Sequence, residues 1–523
     1  MRMRIAVIAI SLFLFGVIFS AIPAKAVNPT IKVGVIGPQG LPHWSPAGMK
    51  EGATMAANEI NAAGGINVGG TMYDFELLYG NEYAVPTPDP SAAQAEVTNL
   101  VSQGAKFLIG GFRTEVTGPM IETAMDLHTP FFIDGASTDE LIRDLSIPAN
   151  YTRYKYLFRV TPINSTSLFK TIVAFLGGYL IPNQLLPIYG HVLYDAKTQV
   201  KVAVLTEDLA WTLKMHAYLT NPLIYPAVLG PYANVTYSAR IPATATDVSS
   251  YLQNVKDSGA RLLIFVFSGA TGLPFIMQWK AMNVSAIPVG INVFGQVGTH
   301  WNSTVGAAAW ETILDTTGTR TAINSPYTET FWDNFLAYTQ SLYGTPSWPI
   351  YTAFGAYDSM YAIKQALEAA DTQDVDTLIT TFEGMVRTDA TLGTFQWTRN
   401  HDVYITNTEL GPHASGRTRA VMIQWVAGRK EVVWPIDAPY SRMVRLPTQM
   451  YPLLTDLTGP IPWTPDGKVD IRDIAAAAKS FGSYYGSPTW NYVCDINNDG
   501  KVDIRDLAAI AKDFGKTLPL PLP

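Results

Sequence analysis

Residues 31–66 read IKVGVIGPQGLPHWSPAGMKEGATMAANEINAAGGI. The order of residue types in this stretch decides the fold. Ile31, Val33, Val35 and Ile36 form an apolar, β-branched run that predicts a buried strand. Gly37-Pro38, Gly40 and Pro42 break it into a turn. From Pro46 onward Met49, Ala53, Ala56, Ala57 and Ile60 mark one helical face as far as Gly64-Gly65. A strand, a Gly/Pro loop and a helix with one apolar face make the opening unit of a parallel α/β sheet. Such sheets bind ligands in the crevice at the carboxyl ends of their strands. The loop His43-Trp44-Ser45 falls at that crevice, where Trp44 is either a platform for an apolar ligand surface or packing between lobes.

The same alternation continues downstream. Strands are predicted at 75–80, 107–111 and 130–133, with a helix at 90–103 and, after the segment 112–117, another as far as His128. After a crossover near 157–162, a second α/β run follows, with strands at 200–205, 237–241, 262–267 and 287–294. Two runs of similar size predict two lobes, the chain crossing between them more than once. Segments 331–343 and 351–370 read as helices, and 392–395, 421–425 and 431–434 as a terminal antiparallel addition. The two-lobed body is assigned to residues 27–434 and a Pro-rich linker to 435–461.

With 523 residues the chain exceeds a single core. A net charge of -7, 15% charged residues and no basic block exclude a nucleic-acid partner. The single Cys494 supports neither a disulfide framework nor a cysteine metal site. The start MRMR, an apolar run over 5–22 and Ala24-Lys25-Ala26 form a secretory signal, residues 1–26, with an uncleaved anchor as the alternative. A secreted, cell-surface location follows. It would expose the sequons at Asn150, Asn164, Asn234, Asn283 and Asn302 to glycosylation. No nucleophile elbow, HExxH or phosphate loop occurs, and the 7 histidines lack metal spacing. Glu115 and Asp134 at strand ends are the carboxylates from which a hydrolase pair could be built, but caps or contacts between lobes are the simpler reading, so no enzyme is expected.

The end of the chain carries an internal repeat: DGKVDIRDIAAAAKSFG at 466–482 recurs as DGKVDIRDLAAIAKDFG at 499–515. Such short units are expected to pair, burying Val469, Ile471, Ile474 and Phe481 against Val502, Ile504, Leu507, Ile510 and Phe514. The second copy spells a calcium loop of hard oxygen ligands. Asp495, Asn497, Asp499, the Lys501 carbonyl, Asp503 and Asp506 stand at positions 1, 3, 5, 7, 9 and 12, with Gly500 at the sharp turn. In the first copy Asp466, Lys468, Asp470 and Asp473 fit, but Pro462 and Thr464 stand at positions 1 and 3, so weak binding or none is expected there. This tail, 462–517 before a final 518–523, resembles a dockerin, a small all-α, EF-hand-like module. The resemblance implies calcium-dependent folding and docking onto a cohesin-like surface partner. At the positions that help choose the partner in that family stand Ile471-Arg472 and Ile504-Arg505, in place of the usual Ser-Thr.

Over about 31–426 the chain resembles the type 1 extracellular solute-binding proteins of ABC importers, particularly the branched-chain amino-acid and amide-binding group. The resemblance is carried by IKVGVIGPQG, EINAAGGI, FLIGGFRTEVTGPM and PFFIDGAST in this order. It implies a two-lobed type 1 periplasmic-binding-protein fold, with parallel sheets flanked by helices, closing on a small polar solute for a membrane permease. Thr114, Gly135 and Ser137 then stand where the family offers hydroxyls and an amide to a ligand carboxylate; capping of the following helices is the other reading of the two hydroxyls. On the second lobe Asn292 replaces the family's acidic residue, and Ala270-Thr271 stand where an aromatic often covers the ligand. Both departures weigh against an α-amino acid. Tyr351 and Asp358 are fainter candidates near the hinge. A ligand-sensing surface receptor is the main alternative, and a secreted carbohydrate-active enzyme a lesser one.

Overall fold

The computed structural model describes residues 28–143, 150–160, 164–185, 199–231, 233–316, 326–403, 420–434, 444, 453–459, 465–484, 487–497 and 499–517. The expected signal at 1–26 and the final 518–523 lie outside the described residues. Among the described residues no helix is long and apolar enough to cross a membrane.

In the first lobe, strands β1 (Thr30–Gly37), β2 (Ile66–Val68), β3 (Thr71–Asn81), β4 (Ala105–Gly110), β5 (Phe131–Ile133) and β6 (Leu157–Arg159) form a sheet in the order β2-β3-β1-β4-β5-β6. All neighbours are parallel except the hairpin β2–β3, which turns through Gly69 and Gly70. That hairpin was not expected from the sequence. Helix Met49–Ala62 packs against helix Tyr351–Ala370 so closely that a Cβ on Gly52 would lie 2.1 Å from the Ala353 carbonyl oxygen. The chain therefore returns to the first lobe late, as the expected multiple crossings require.

The second lobe holds β7 (Val200–Glu207), β8 (Ala233–Ile241), β9 (Leu262–Phe267), β10 (Ile287–Asn292) and β11 (Thr312–Asp315). After the small hairpin β12 (Val386–Arg387) with β13 (Phe395–Gln396), β14 (Val421–Val426) and β15 (Arg429–Trp434) complete the sheet β15-β14-β11-β10-β9-β7-β8. Strands β14 and β15 join antiparallel, as expected, but 395–396 pairs with β12 rather than with them. Alternation along β7 and β9 serves two layers. Val202, Val204, Ile264 and Val266 face one core, and Ala203, Leu205, Leu263, Phe265 and Phe267 face the other. Both faces are covered, which is why these strands read as continuous apolar runs.

The C-terminal repeat folds into helices Ile471–Lys479 and Ile504–Asp513, each opened by a capping box, Asp470 with Asp473 and Asp503 with Asp506. Their packing departs from expectation. Val469, Val502 and Ile510 are buried, but Ile471, Ile504, Phe481 and Phe514 are more than half exposed. The short helices turn Asp473, Ala476 and Ala477 inward, or Asp506 and Ile510, leaving these larger apolar groups outward. The module is also fastened to the body: buried Trp490 donates its indole N–H to Glu431 of β15 at 3.3 Å.

Candidate functional site

The carboxyl ends of both sheets face each other across a cleft lined by residues of both lobes. Its first wall is built from the loops after β4 and β5. Glu82, fully buried beyond the end of β3, accepts the N–H groups of Phe112 (2.6 Å) and Arg113 (3.2 Å), which fixes the loop entering helix Thr114–Asp126. Burial pushes the Glu82 carboxyl up to about 8. The two loops nearly touch, for a Cβ on Gly135 would stand 2.8 Å from the Phe112 Cα. From beneath, buried Arg159 donates to the Thr138 carbonyl at 2.7 Å, and Ser165 donates its N–H to the Ser137 carbonyl at 2.7 Å. The Ser137 backbone is thereby held while its side chain faces the cleft.

The second wall turns on Glu207, fully buried at the end of β7. Its carboxylate accepts the Trp211 indole N–H (2.9 Å), the N–H groups of Ser268 (2.7 Å) and Gly269 (3.0 Å), and the Ser268 hydroxyl. One carboxylate thus staples the loops after β7 and β9. Burial again pushes it up, opposed by these donors and by the charge of Arg113. Ile291, Val293 and Leu314 supply apolar surface, as do Trp211 and Leu168. Gln296 donates to the Leu314 carbonyl at 3.0 Å, while its own Oε1 and the Thr316 hydroxyl are buried without a hydrogen-bond partner. Tyr351 closes the cleft at the first residue of its helix. Behind it, His43 stacks on Phe112 at 3.9 Å and is pushed down to about 3, first by burial and then by the Arg113 charge.

A model of the periplasmic binding protein family matches residues 30–410. The chain belongs to the periplasmic binding protein family. Three solved structures share its fold. The isoleucine complex of the branched-chain amino-acid binding protein LivJ from Streptococcus pneumoniae is 19% identical, covers 77% of this chain and 98% of that one, and has a TM-score of 0.56. A benzoate complex of an ABC-transporter solute-binding protein from R. palustris is 15% identical, with 77% and 95% covered and a TM-score of 0.56. A 4-hydroxybenzoate complex from R. palustris is 17% identical, with 81% and 99% covered and a TM-score of 0.57. No curated protein matches the chain.

For a periplasmic binding protein the distribution of the expected ligand residues is uneven. Thr114, Gly135 and Ser137 line the cleft together. The other four expected residues do not. Trp44 is buried edge-on against Tyr79 at 6.0 Å and fills the space beside Gly37. Ala270 is exposed at a turn. Thr271 is buried and donates to the Ala243 carbonyl at 3.1 Å. Asn292 is fully buried, caps the following 3-10 turn through Gly295 (3.2 Å) and donates to Glu311 (3.1 Å), so its neutrality carries no weight against an α-amino acid. Of the two imagined hydrolase carboxylates, Glu115 lines the cleft and Asp134 lies buried outside the lining. Asp358 is engaged by the Thr391 N–H and hydroxyl. Arg113 was overlooked, as were the apolar wall and Gln296. The expectation of neutral donors alone therefore needs correction, since a guanidinium lines the cleft.

In the tail, the second loop is organised by its own acids. Asp495 accepts the N–H groups of Asp499 (3.0 Å) and Gly500 (2.9 Å), and Asp506 accepts those of Ile496 (2.8 Å) and Asn497 (3.2 Å). The first loop repeats this pattern with an unexpected residue. Asp456 accepts from Asp466 (3.3 Å) and Gly467 (2.7 Å), and Asp473 accepts from Leu457 (2.6 Å) and Thr458 (2.9 Å). Asp456 and Thr458 thus take the places that Asp495 and Asn497 hold in the second copy; Pro462 and Thr464 lie outside the described residues. The oxygen donors suit calcium in type. In both loops, however, an arginine holds the carboxylates at positions 5 and 9: Arg472 with Asp466 and Asp470, and Arg505 with Asp499 and Asp503. Among the described residues no three acidic, histidine or cysteine side chains converge closely enough for a metal ion.

Proposed function

We propose that the chain is a secreted, non-enzymatic solute-binding protein that captures a small solute by lobe closure and delivers it to an ABC-type permease. The observation that carries this reading is the cleft at the facing carboxyl ends of the two sheets. Thr114, Gly135 and Ser137 offer hydroxyls and an amide from one lobe, against an apolar wall from the other. A direct contact between the lobes at its mouth supports closure as the mechanism: Ala210 donates its N–H to Glu115 at 3.1 Å. The solute complexes known for structures of this fold, isoleucine and benzoates, set the size range.

For the tail we propose a calcium-dependent, dockerin-like role. Asp495, Asn497, Asp499, the Lys501 carbonyl, Asp503 and Asp506 would hold one ion, and Asp456, Thr458, Asp466, the Lys468 carbonyl, Asp470 and Asp473 a second. The ion would supply a hard positive centre that pins each loop. Outward Ile471 and Ile504, each followed by an arginine, support docking to a cohesin-like surface protein. Thermal-shift screening of the full chain tests the solute reading. One solute class should raise the melting temperature and remain unaltered by mass spectrometry, whereas turnover would contradict a pure binder.

A further inference from the structure

We propose that the solute is an organic acid with an apolar body, its carboxylate held by the guanidinium of Arg113. This rests on the solute-binding reading above and narrows it.

Arg113 lines the cleft, and its backbone N–H is already taken by Glu82. Among the described residues no ion pair or hydrogen bond engages its guanidinium, and its Nε is buried without a partner. An arginine fork without a hydrogen-bonded partner in a partly dry site is costly, and its planar geometry matches a carboxylate in two parallel hydrogen bonds. The carboxylates nearby do not fill that role. Glu82 spends its oxygens on two backbone N–H groups, and Glu207 on three N–H groups and a hydroxyl. Burial pushes both toward the neutral form. Glu115 gives Oε1 to Ala210, while its Oε2 is buried without a hydrogen-bond partner and no ion pair joins it to Arg113 among the described residues. Ser137, whose hydroxyl makes no hydrogen bond among the described residues, lines the same cleft.

The remaining surface specifies the rest of the molecule. Leu168, Trp211, Ile291, Val293 and Leu314 favour an apolar body. Gln296 Oε1 and Thr316 Oγ1, both buried and unpartnered, suit one neutral hydrogen-bonding group such as a hydroxyl. An ammonium beside the carboxylate would be repelled by Arg113, and Glu82 and Glu207 are already engaged.

The test is calorimetric titration of the full chain with three ligands on one carbon skeleton: 3-phenylpropanoate, 3-phenylpropanamide and phenylalanine. The acid is expected to bind, with the amide and the amino acid at least about ten-fold weaker. Arg113→Met is expected to weaken the acid about ten- to a hundred-fold while moving the amide less than about three-fold. If Arg113→Met fails to fold, Arg113→Lys, which keeps the charge and loses the fork, should give an intermediate loss for the acid alone. Should the amide or the amino acid bind as tightly as the acid, or the substitution leave the acid unchanged, the inference is overturned while the solute-binding reading stands. If none of the three binds, and benzoate and leucine also fail, both are overturned.

Discussion

Glu115 of the first lobe accepts the backbone N–H of Ala210 of the second lobe at 3.1 Å, at the mouth of the cleft. In a lobe-closing protein this bond exists only when the lobes meet; on opening, water takes both groups. Replacing Glu115 with Ala leaves the Ala210 N–H unpaired in the closed form alone. The equilibrium then shifts toward open by about 0.5–1.5 kcal/mol. Solute affinity should fall about three- to ten-fold, and small-angle scattering should show a larger radius of gyration at subsaturating solute. Unchanged affinity would show that the bond plays no part in closure.

Glu82 predicts a pH dependence of stability. Burial raises its folded pKa from 4.5 to about 8, so between these values the folded protein keeps a proton that the unfolded chain has lost. Its contribution is therefore full below about 4.5 and declines as pH rises toward 8. His43 has the opposite sign, its folded value lying near 3 against 6.5, so its contribution declines as pH falls below 6.5. Between 6.5 and 8 the Glu82 slope is not offset by His43. Urea unfolding should show Glu82→Gln gaining on the parent between pH 6.5 and 8; an equal difference at both pH values would refute the assignment.

Asp456 makes a prediction that the repeat alone does not. If it completes the first loop as Asp495 completes the second, calcium titration should count two ions per chain. Asp456→Ala and Asp495→Ala should each reduce the count to one. A count of one in the parent, unaffected by Asp456→Ala, would restore the expectation that the first loop is weak or empty.

The lobes were legible because parallel strands covered on both faces appear as unbroken apolar runs, as Leu262–Phe267 does. The hairpin strand Ile66–Val68 was too short to show a period. Thr114, Gly135 and Ser137 could be found through the family resemblance, which places them in the loops after the strands ending at Gly110 and Ile133. Asn292 misled for a local reason: its amide is spent on Gly295 and Glu311, partners that its own position does not announce. Arg113 was not legible because its meaning depends on Glu82 and Glu207, which come from distant strands and whose oxygens are already occupied. Asp456 was hidden by spacing. Seven residues separate Thr458 from Asp466, where one, Asn498, separates Asn497 from Asp499.

The most direct test of the account is a crystal structure of the full chain purified under native conditions with a solute selected by thermal shift. The account predicts the solute between the lobes, hydrogen-bonded to Thr114, Ser137 or the Gly135 amide, with Trp211 and Leu314 against its apolar side. A closed cleft filled by the protein's own side chains, with the solute bound elsewhere, would contradict it.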